Sequence, residues 1–201
     1  MNKAIDFANA GDEDISKDGS DEIKVVNNNI YFYGSINKKT ILELNKSLRE
    51  VCDKLLGEHI CRNSSQPSPI FLHINSYGGF MFDGIAGMDQ ILKLKSTIEI
   101  ITIVEGGCAS AATFLSIVGS KRLITSHSFM LIHQVSSGFW GKYEEFKDEM
   151  QNLDKVMKLI KNIYRQYTKL PMKELNNILK RDIWLNAEEC LKYGLIDKIV
   201  G

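Results

Sequence analysis

The chain has no excess of charge of either sign, no long apolar run and no regular cysteine pattern. Its 201 residues include 25 lysines and arginines and 25 aspartates and glutamates, which argues against a protein held to nucleic acid by its overall field. No stretch approaches the ~20 apolar residues of a membrane span, and no charged and then apolar segment opens the chain. The cysteines at 52, 61, 108 and 190 are scattered, which is typical of reduced thiols. We therefore expect a cytoplasmic protein with no membrane and no nucleic-acid partner.

The composition fits one globular domain after an acidic leader. A chain of this length, with 44% hydrophobic and 25% charged residues, is typical of one domain with a sizeable core. The first 22 residues include seven acids and two lysines, and their apolar residues have no sustained period. We interpret residues 1–29 as a flexible acidic leader, which is an unstructured tail, a removable propeptide or a gate. Residues 30–201 are the predicted domain.

Strand and helix patterns alternate along this domain. Runs of β-branched and aromatic residues predict strands at residues 30–33, 70–74, 98–104, 122–125, 129–133 and 195–200. Apolar residues at helical spacing predict a helix over residues 40–56. A second helix is predicted from the glycines at 78 and 79 to about residue 94, and a run of small apolar residues predicts a third over residues 109–118. Residues 61–69, rich in proline and serine, are a predicted surface loop. The alternation favours an α/β fold with a largely parallel sheet.

The clearest helix pattern follows the predicted strand at residues 129–133. Its apolar residues recur at steps of four and three and form a single stripe: Phe146, Met150, Leu153, Met157, Ile160, Tyr164 and Tyr167. A stripe this regular must pack on another surface. Pro171 is then predicted to be the first residue of a further short helix.

Glycines follow a predicted strand at Asn75-Ser76-Tyr77-Gly78-Gly79. Glycine permits positive φ and close approach of another chain, and N–H groups exposed in such a turn bind an anion or an oxyanion. A tight strand-to-helix turn without a ligand explains the same residues. The segment is not a P-loop or a dinucleotide fingerprint, because the glycine spacing and the lysine are missing.

A second small-residue turn lies at residues 106–112, with Ser110 near its centre. Small residues on both sides permit a sharp turn that presents the Ser110 hydroxyl at the start of a helix. The N–H of Ala111 would then point outward and stabilise a developing negative charge. A simple helix N-cap is the alternative role for Ser110.

A serine nucleophile needs a base, and the chain has histidines at 59, 73, 127 and 133. His133 is the favoured base because it ends an apolar strand, where a sheet opens to a cleft. His127, in a predicted turn, is the second choice. His59 lies beside the predicted loop and His73 lies within a strand, so both fit structural roles better.

Asp182 is the candidate for the group that orients the base. It precedes Ile183 and Trp184, two bulky apolar residues that we expect to shield it from water. A surface ion pair with Arg181 is the alternative. No metal-ligand motif is present, because there is no HExxH and Glu58-His59 is too sparse for a zinc site.

Four segments resemble the family of the Clp protease proteolytic subunit, ClpP, in the family's own order. Residues 74–79 resemble its I-N-S-P-G-G, residues 106–114 its G-Q-A-A-S-M-G-A-F, and residues 130–134 its M-I-H-Q-P. Residues 181–197 resemble its R-D-x-F-L-S-A-x-E-A-x-x-Y-G-L-V-D ending. The resemblance runs from about residue 30 to residue 200, and four motifs in register are specific.

The resemblance implies a serine endopeptidase with a Ser–His–Asp triad. It assigns Ser110 as the nucleophile, His133 as the base and Asp182 as the third member. It also assigns the backbone N–H groups of Gly79 and Ala111 as the oxyanion donors. The implied substrate is an unfolded polypeptide that lies beside the glycine-bearing edge as an added strand.

The family fold is crotonase-like, with repeated ββα units and a protruding helix–strand handle, and its subunits form seven-membered rings stacked in pairs as a tetradecamer. The striped helix and residues 136–141 stand where the family has this handle. The resemblance further implies an AAA+ unfoldase ATPase as partner, so that ATP is used there and this chain holds no cofactor and no metal.

Several positions depart from the family pattern. Tyr77 and Val135 replace prolines, Lys180 replaces a frequent acid, and residues 61–69 are an insertion. The first 29 residues do not resemble the family's N-terminal pore loop. The polar residues at 73 and 105 stand at usually apolar positions where the family docks its ATPase, so docking of a standard ATPase is doubtful.

Two other functions remain open from the sequence. A ring-forming ClpP paralogue of little or no activity would assemble with an active partner. A crotonase-type acyl-CoA enzyme would share the fold and an oxyanion hole, but it would not need the Ser–His–Asp set. A signal-peptide peptidase fits less well, because neither a Ser–Lys pair nor a membrane anchor is evident.

Overall fold

The computed structural model describes residues 23–62 and 65–201, which form a mixed α/β fold. The strands are β1 (Ile23–Val26), β2 (Asn29–Phe32), β3 (Ile70–Ser76), β4 (Ile100–Ala109), β5 (Lys121–Thr125), β6 (Phe129–Leu131), β7 (Trp184–Asn186) and β8 (Lys198–Val200). The helices are α1 (Lys38–Arg62), α2 (Met81–Leu94), α3 (Ala112–Ser116), α4 (Tyr143–Tyr167), α5 (Met172–Ile178) and α6 (Ala187–Lys192).

The strands form one sheet that branches at β4. Its main path runs β1-β2-β3-β4-β5-β8, and β6 and β7 extend from β4 in a second direction. The first part of β4 pairs with β5, and its last three residues pair with β6. Every pairing is parallel except β1 with β2 and β6 with β7. The largely parallel α/β sheet predicted from the sequence is therefore present.

The core forms between this sheet and the helices that connect its strands. The strands contribute alternate residues, and β3 buries every second side chain from Ile70 to Ser76. Along α1, the buried apolar residues are spaced three and four apart, as in Ile41, Leu44 and Leu48. Asn37 caps the N-terminus of this helix, because its side-chain oxygen accepts hydrogen bonds from the N–H groups of Lys39 and Thr40.

The apolar stripe of α4 is only half buried. Toward the C-terminal end of the helix, Ile160 and Tyr164 pack into the core. Toward the N-terminal end, Phe146 and Met150 are exposed, so the described residues provide a packing surface for only part of the predicted stripe. The first half of α4 therefore presents an apolar surface that residues 23–62 and 65–201 leave largely uncovered.

Several boundaries differ from the sequence predictions. Strand β4 runs through the glycines to Ala109, so α3 begins three residues later than the predicted helix. Helix α1 continues to Arg62, into the predicted loop, and Pro171 caps α5 instead of beginning it. Strand β7 and helix α6 were not predicted, because three and six residues are too short to give a clear period.

The hairpin of β1 and β2 begins inside the predicted leader. Ile23 pairs with Phe32, and Val26 pairs with Asn29, so residues 23–29 comprise β1, the hairpin turn and the first residue of β2. The rest of the predicted leader, residues 1–22, lies outside the described residues. Among the helices that are described, none has both the length and the apolar character needed to cross a membrane.

Arg122 and Asp197 join three parts of the fold. The Arg122 side chain donates to Asp197 through both Nε (3.0 Å) and Nη2, and its Nη1 donates to the carbonyls of Tyr167 (2.6 Å) and Gly194 (2.7 Å). The arginine thereby ties β5 to the end of α4 and to the segment before β8. Hydrogen bonds from Arg122 lower the pKa of the Asp197 carboxyl, against an opposing effect of burial.

Asp197→Asn should lower the free energy of unfolding at pH 7 by about 1 kcal/mol, because it removes a charged hydrogen-bond partner of Arg122. A carboxyl whose pKa is lower in the folded state stabilises the protein above its unfolded pKa and loses that effect as the pH falls through the folded pKa. The difference from wild type should therefore shrink as the pH falls from about 5 to about 3, measured by urea unfolding.

Glu99→Gln is the control, because Glu99 pairs with Lys121 at 2.9 Å on an exposed surface. We expect it to change the free energy of unfolding by less than about 0.5 kcal/mol. Equal losses for the two variants, or a loss at Asp197→Asn that does not depend on pH, would contradict the role given to Arg122.

Candidate active site

Ser110 lies where β4 passes into α3. Its φ of 54° is in the left-handed region, which few residues other than glycine adopt. The Ser110 N–H donates to the Leu131 carbonyl of β6 at 2.9 Å. A backbone of this kind stores roughly 1–3 kcal/mol of strain, and it brings Ser110 to the wall of a cleft.

Cys108 is the other nucleophilic side chain of this turn. It is fully buried, and burial raises the pKa of its thiol to about 12. The thiolate, which is the reactive form of cysteine, is therefore absent near neutral pH. Of the two side chains, the Ser110 hydroxyl is the one available for chemistry.

The glycine pair packs directly against the serine turn. The φ angles are 98° at Gly78 and 145° at Gly79. A β-carbon on Gly78 would lie 2.7 Å from the Ser110 β-carbon and 2.8 Å from the Ala109 carbonyl oxygen, and one on Gly79 would collide with the Ile36 carbonyl oxygen. Glycine is therefore required at both positions, because the two turns touch and residue 36 runs alongside.

Two backbone N–H groups beside the serine have no backbone acceptor. The bridge to Ile36 uses the Gly78 carbonyl and the Phe80 N–H, at 2.8 Å each, so the Gly79 N–H points away from Ile36. The Ala111 N–H precedes the first turn of α3, where N–H groups have no partner within the helix. Neither group donates to a backbone carbonyl of residues 23–62 or 65–201. Both residues line the cleft, so both N–H groups are available to a negatively charged oxygen.

The pairing of β6 with β7 brings His133 to Asp182. Leu131 is aligned with Trp184 in this antiparallel pair, and the same register two residues further on sets His133 opposite Asp182. His133 Nδ1 lies 3.5 Å from Asp182 Oδ1. The imidazole is mostly buried and lines the cleft. Because Nδ1 faces the carboxylate, Nε2 is the nitrogen left for chemistry in the cleft.

Ser110, His133 and Asp182 do not form a chain of hydrogen bonds among the described residues. The distance from His133 to Asp182 exceeds the roughly 2.7–3.2 Å of an N–H···O hydrogen bond. No hydrogen bond between Ser110 Oγ and His133 occurs in the described part of the chain. Catalytic contacts commonly tighten only when substrate binds, so these distances alone do not exclude the three residues as a predicted triad.

Asp182 is not shielded from water as predicted. Its side chain is 80% exposed, and Ile183 and Trp184 are exposed as well. The prediction fails because these residues belong to or adjoin β7, which pairs with β6 alone and leaves its outer side open. The alternative ion pair with Arg181 does not occur among the described residues, in which the Asp182 carboxylate faces the His133 imidazole instead.

The cleft beside Ser110 is lined mainly by apolar side chains. They come from the start of α2, from α3, from the segment after β6 and from α4: Met81, Phe114, Val135, Ile160 and Tyr164. Gln134 and Ser136 add polar groups. A lining of this kind accepts an apolar side chain next to the reacting group.

The other histidines do not line this cleft. His127 is exposed in the turn before β6, and His59 lies on α1. His73 faces Glu105 with Nδ1 (2.8 Å) and Asn29 with Nε2 (3.1 Å). The usually apolar positions 73 and 105 therefore hold a polar cluster across β2, β3 and β4. The described residues contain no cluster of three or more histidine, cysteine or carboxylate side chains suited to a metal ion.

Two residues of the site received no functional role from the sequence. Thr113 and Tyr164 are joined by a buried hydrogen bond directly beneath the serine turn. The sequence contains one signal for this contact, which is a polar threonine within the otherwise apolar run from Ala111 to Leu115. The sequence around Thr113 does not predict that its partner is Tyr164, which lies on α4 more than fifty residues later.

The chain is similar to proteins of one known family over most of its length. The sequence model of the Clp protease family matches residues 26–201. The ATP-dependent Clp protease proteolytic subunit of Oltmannsiellopsis viridis is 30% identical over 171 residues, which cover 83% of this chain and 87% of the relative. The subunit of the same name from Deinococcus radiodurans is 29% identical over 154 residues, which cover 75% and 74%. That from Zea mays is 36% identical over 137 residues, which cover 67% and 62%.

Gly78→Ala should lower the free energy of unfolding by about 2–4 kcal/mol, because the new β-carbon meets the serine turn and the backbone has positive φ. Gly57→Ala is the matched control. Gly57 lies within α1 with open space around it, so alanine there should stabilise the protein by up to about 1 kcal/mol. Guanidinium unfolding measures both variants. A Gly78→Ala protein as stable as wild type would refute the contact between the two turns.

Proposed function

The chain belongs to the Clp protease family, whose members are serine peptidases of crotonase-like fold, and on that basis we propose that it hydrolyses peptide bonds of unfolded polypeptides through Ser110, His133 and Asp182. The observation that carries the proposal is the strained backbone of Ser110. It sets a serine hydroxyl in one cleft with an imidazole and with two free N–H groups, at Gly79 and Ala111. A helix cap needs none of these neighbours.

The proposed reaction is acyl transfer to the serine and then to water. Ser110 Oγ attacks the peptide carbonyl while His133 Nε2 accepts its proton. The N–H groups of Gly79 and Ala111 stabilise the negative oxygen that forms. His133 then protonates the leaving amine, and a water molecule activated by the same imidazole releases the acyl group from Ser110.

Asp182 has an orienting role in this proposal. Its carboxylate faces His133 Nδ1, which favours the tautomer that leaves a lone pair on Nε2 and stabilises the imidazolium that forms. The 3.5 Å separation shortens in the working complex, as catalytic hydrogen bonds commonly do when substrate binds.

The proposed substrate is an extended chain that adds a strand beside Gly79. Ile36 occupies one side of this segment, through Gly78 and Phe80. With the Gly79 N–H assigned to the oxyanion, the Gly79 carbonyl is the group that accepts a hydrogen bond from the added peptide strand. The apolar cleft lining favours an apolar side chain next to the cleaved bond.

We also propose that the chain works as a stacked ring. The exposed first half of α4, with Phe146 and Met150, offers an apolar surface for a second copy. The relatives are named ATP-dependent, and by extension ATP is used by a separate AAA+ unfoldase while this chain holds no cofactor. In the family, the ATPase docks at the positions that His73 and Glu105 occupy in this chain. The hydrogen bond between these two side chains makes this surface polar, so the proposed partner would bind a surface that differs from the family's apolar pocket.

A ring-forming paralogue of low activity is the second candidate function. The observation that favours it is the exposed Asp182 carboxylate, which lies beyond hydrogen-bond distance of His133. Such a chain would need an active partner, whereas the protease proposed here cleaves peptides as a homo-oligomer.

Ser110→Ala should reduce hydrolysis of a short fluorogenic peptide by more than about a thousandfold, because it removes the nucleophile. The hydroxyl of Ser126 provides a matched control, since it lies in an exposed turn outside the cleft. Ser126→Ala should keep the wild-type rate. Equal rates for Ser110→Ala and wild type would refute the mechanism.

Mass photometry on the same samples separates loss of chemistry from loss of assembly. Wild type and Ser110→Ala should both form a particle of several hundred kilodaltons. A strict monomer at micromolar concentration would contradict the ring, and an inactive wild-type ring would favour the paralogue of low activity.

A further inference from the structure

A chain of two buried hydroxyl groups ends on the Ser110 carbonyl. Thr113 Oγ1 donates to the Ser110 carbonyl oxygen at 2.6 Å, and the Tyr164 hydroxyl lies 2.6 Å from Thr113 Oγ1. Thr113 and Tyr164 are both fully buried. The contact therefore joins the serine turn to α4, on the other side of the cleft.

The direction of these hydrogen bonds follows from the number of protons. A threonine hydroxyl has one hydrogen, and a carbonyl oxygen can only accept. The Thr113 hydrogen is therefore used on the Ser110 carbonyl, and the Tyr164 hydroxyl must donate to Thr113 Oγ1. Burial raises the pKa of the Tyr164 phenol, so this donor stays protonated.

The Ser110 carbonyl and the Ala111 N–H belong to the same peptide unit. That unit is planar and trans, so its C=O and N–H point in opposite directions. Two donors hold the carbonyl, namely Thr113 Oγ1 and the Thr113 N–H at 3.1 Å. Fixing the carbonyl on one side fixes the direction of the Ala111 N–H on the other side.

Helix α4 supplies the fixed end of this arrangement. The Tyr164 ring packs against Phe114 with the ring centres 5.9 Å apart. Two turns earlier on α4, Met157 Sδ accepts a hydrogen bond from the Val135 N–H at 3.3 Å. The helix therefore contacts both the serine turn and the segment that follows His133.

We propose that Thr113 and Tyr164 are positioning residues that aim the Ala111 N–H at the oxygen of the reacting carbonyl. The inference rests on the proposed function, because it concerns the oxyanion donor of that reaction. An interaction that strengthens as the oxygen becomes negative acts on kcat and leaves substrate binding largely unchanged. This separates positioning from a role in packing alone.

Thr113→Val keeps the shape of the side chain and removes its hydroxyl. We expect kcat for a short fluorogenic peptide to fall about tenfold, less than for complete loss of an oxyanion donor, with KM within about twofold of wild type. Thr113→Ser retains the hydroxyl and should restore most of kcat. Tyr164→Phe leaves the bond from Thr113 to Ser110 in place, so its loss of kcat should be smaller, about threefold.

The double variant Thr113→Val/Tyr164→Phe distinguishes positioning from packing. Thr113→Val alone leaves the buried Tyr164 hydroxyl without its partner, which destabilises the protein, whereas the double variant leaves no unpaired hydroxyl. Its thermal stability should therefore exceed that of Thr113→Val, while kcat stays about tenfold low. Recovery of kcat together with stability would overturn the proposal.

Thr102→Val is the matched control. Thr102 is an equally buried threonine whose hydroxyl donates to the Ser116 carbonyl at 2.7 Å, at the far end of α3 and away from the cleft. It should lower the thermal stability and leave kcat unchanged. If Thr113→Val also leaves kcat unchanged in an active wild-type background, the inference alone fails. A wild-type protein without Ser110-dependent hydrolysis would overturn the proposed function and this inference with it.

Discussion

The left-handed backbone of Ser110 is the constraint on which the site depends. A residue with a side chain adopts this conformation only when its surroundings compensate for the strain. Here Leu131 accepts its N–H, Thr113 donates to its carbonyl, and Gly78 packs against it without a β-carbon. The strain places the hydroxyl in the cleft and leaves the next N–H free. The proposed nucleophile and the proposed oxyanion donor thus arise from one local conformation.

The branched sheet explains how distant parts of the chain meet at that turn. Strand β4 pairs with β3, which leads into the glycine pair, and also with β6, which leads into His133. Strand β7 pairs with β6 and brings Asp182 opposite His133. Helix α4 closes the cleft from the remaining side. The proposed catalytic residues therefore lie at the branch point, where several strand ends meet.

Much of the fold could be predicted from the sequence, because its signals are local. The period of α1, the apolar run of β3 and the glycines before α2 lie within single segments. The same holds for the small residues around Ser110. The exposure of Asp182 could not be predicted, because it depends on β7 being the edge of a branch. The half-covered stripe of α4 could not be predicted either, since a period shows which face is apolar but not what covers it. The contact between Thr113 and Tyr164 could not be predicted, because it depends on how α3 and α4 pack together. A periodic pattern within one segment does not show which residue of another segment it contacts.

The most direct test of an activated Ser110 is the intact mass of the protein after treatment with a fluorophosphonate probe. The measurement needs wild type and Ser110→Ala, and it does not depend on the choice of peptide. The account predicts one adduct per wild-type chain and none on the variant, because a serine is phosphonylated readily only when a base and oxyanion donors assist it. The absence of an adduct on wild type, or an adduct that persists on Ser110→Ala, would contradict the account.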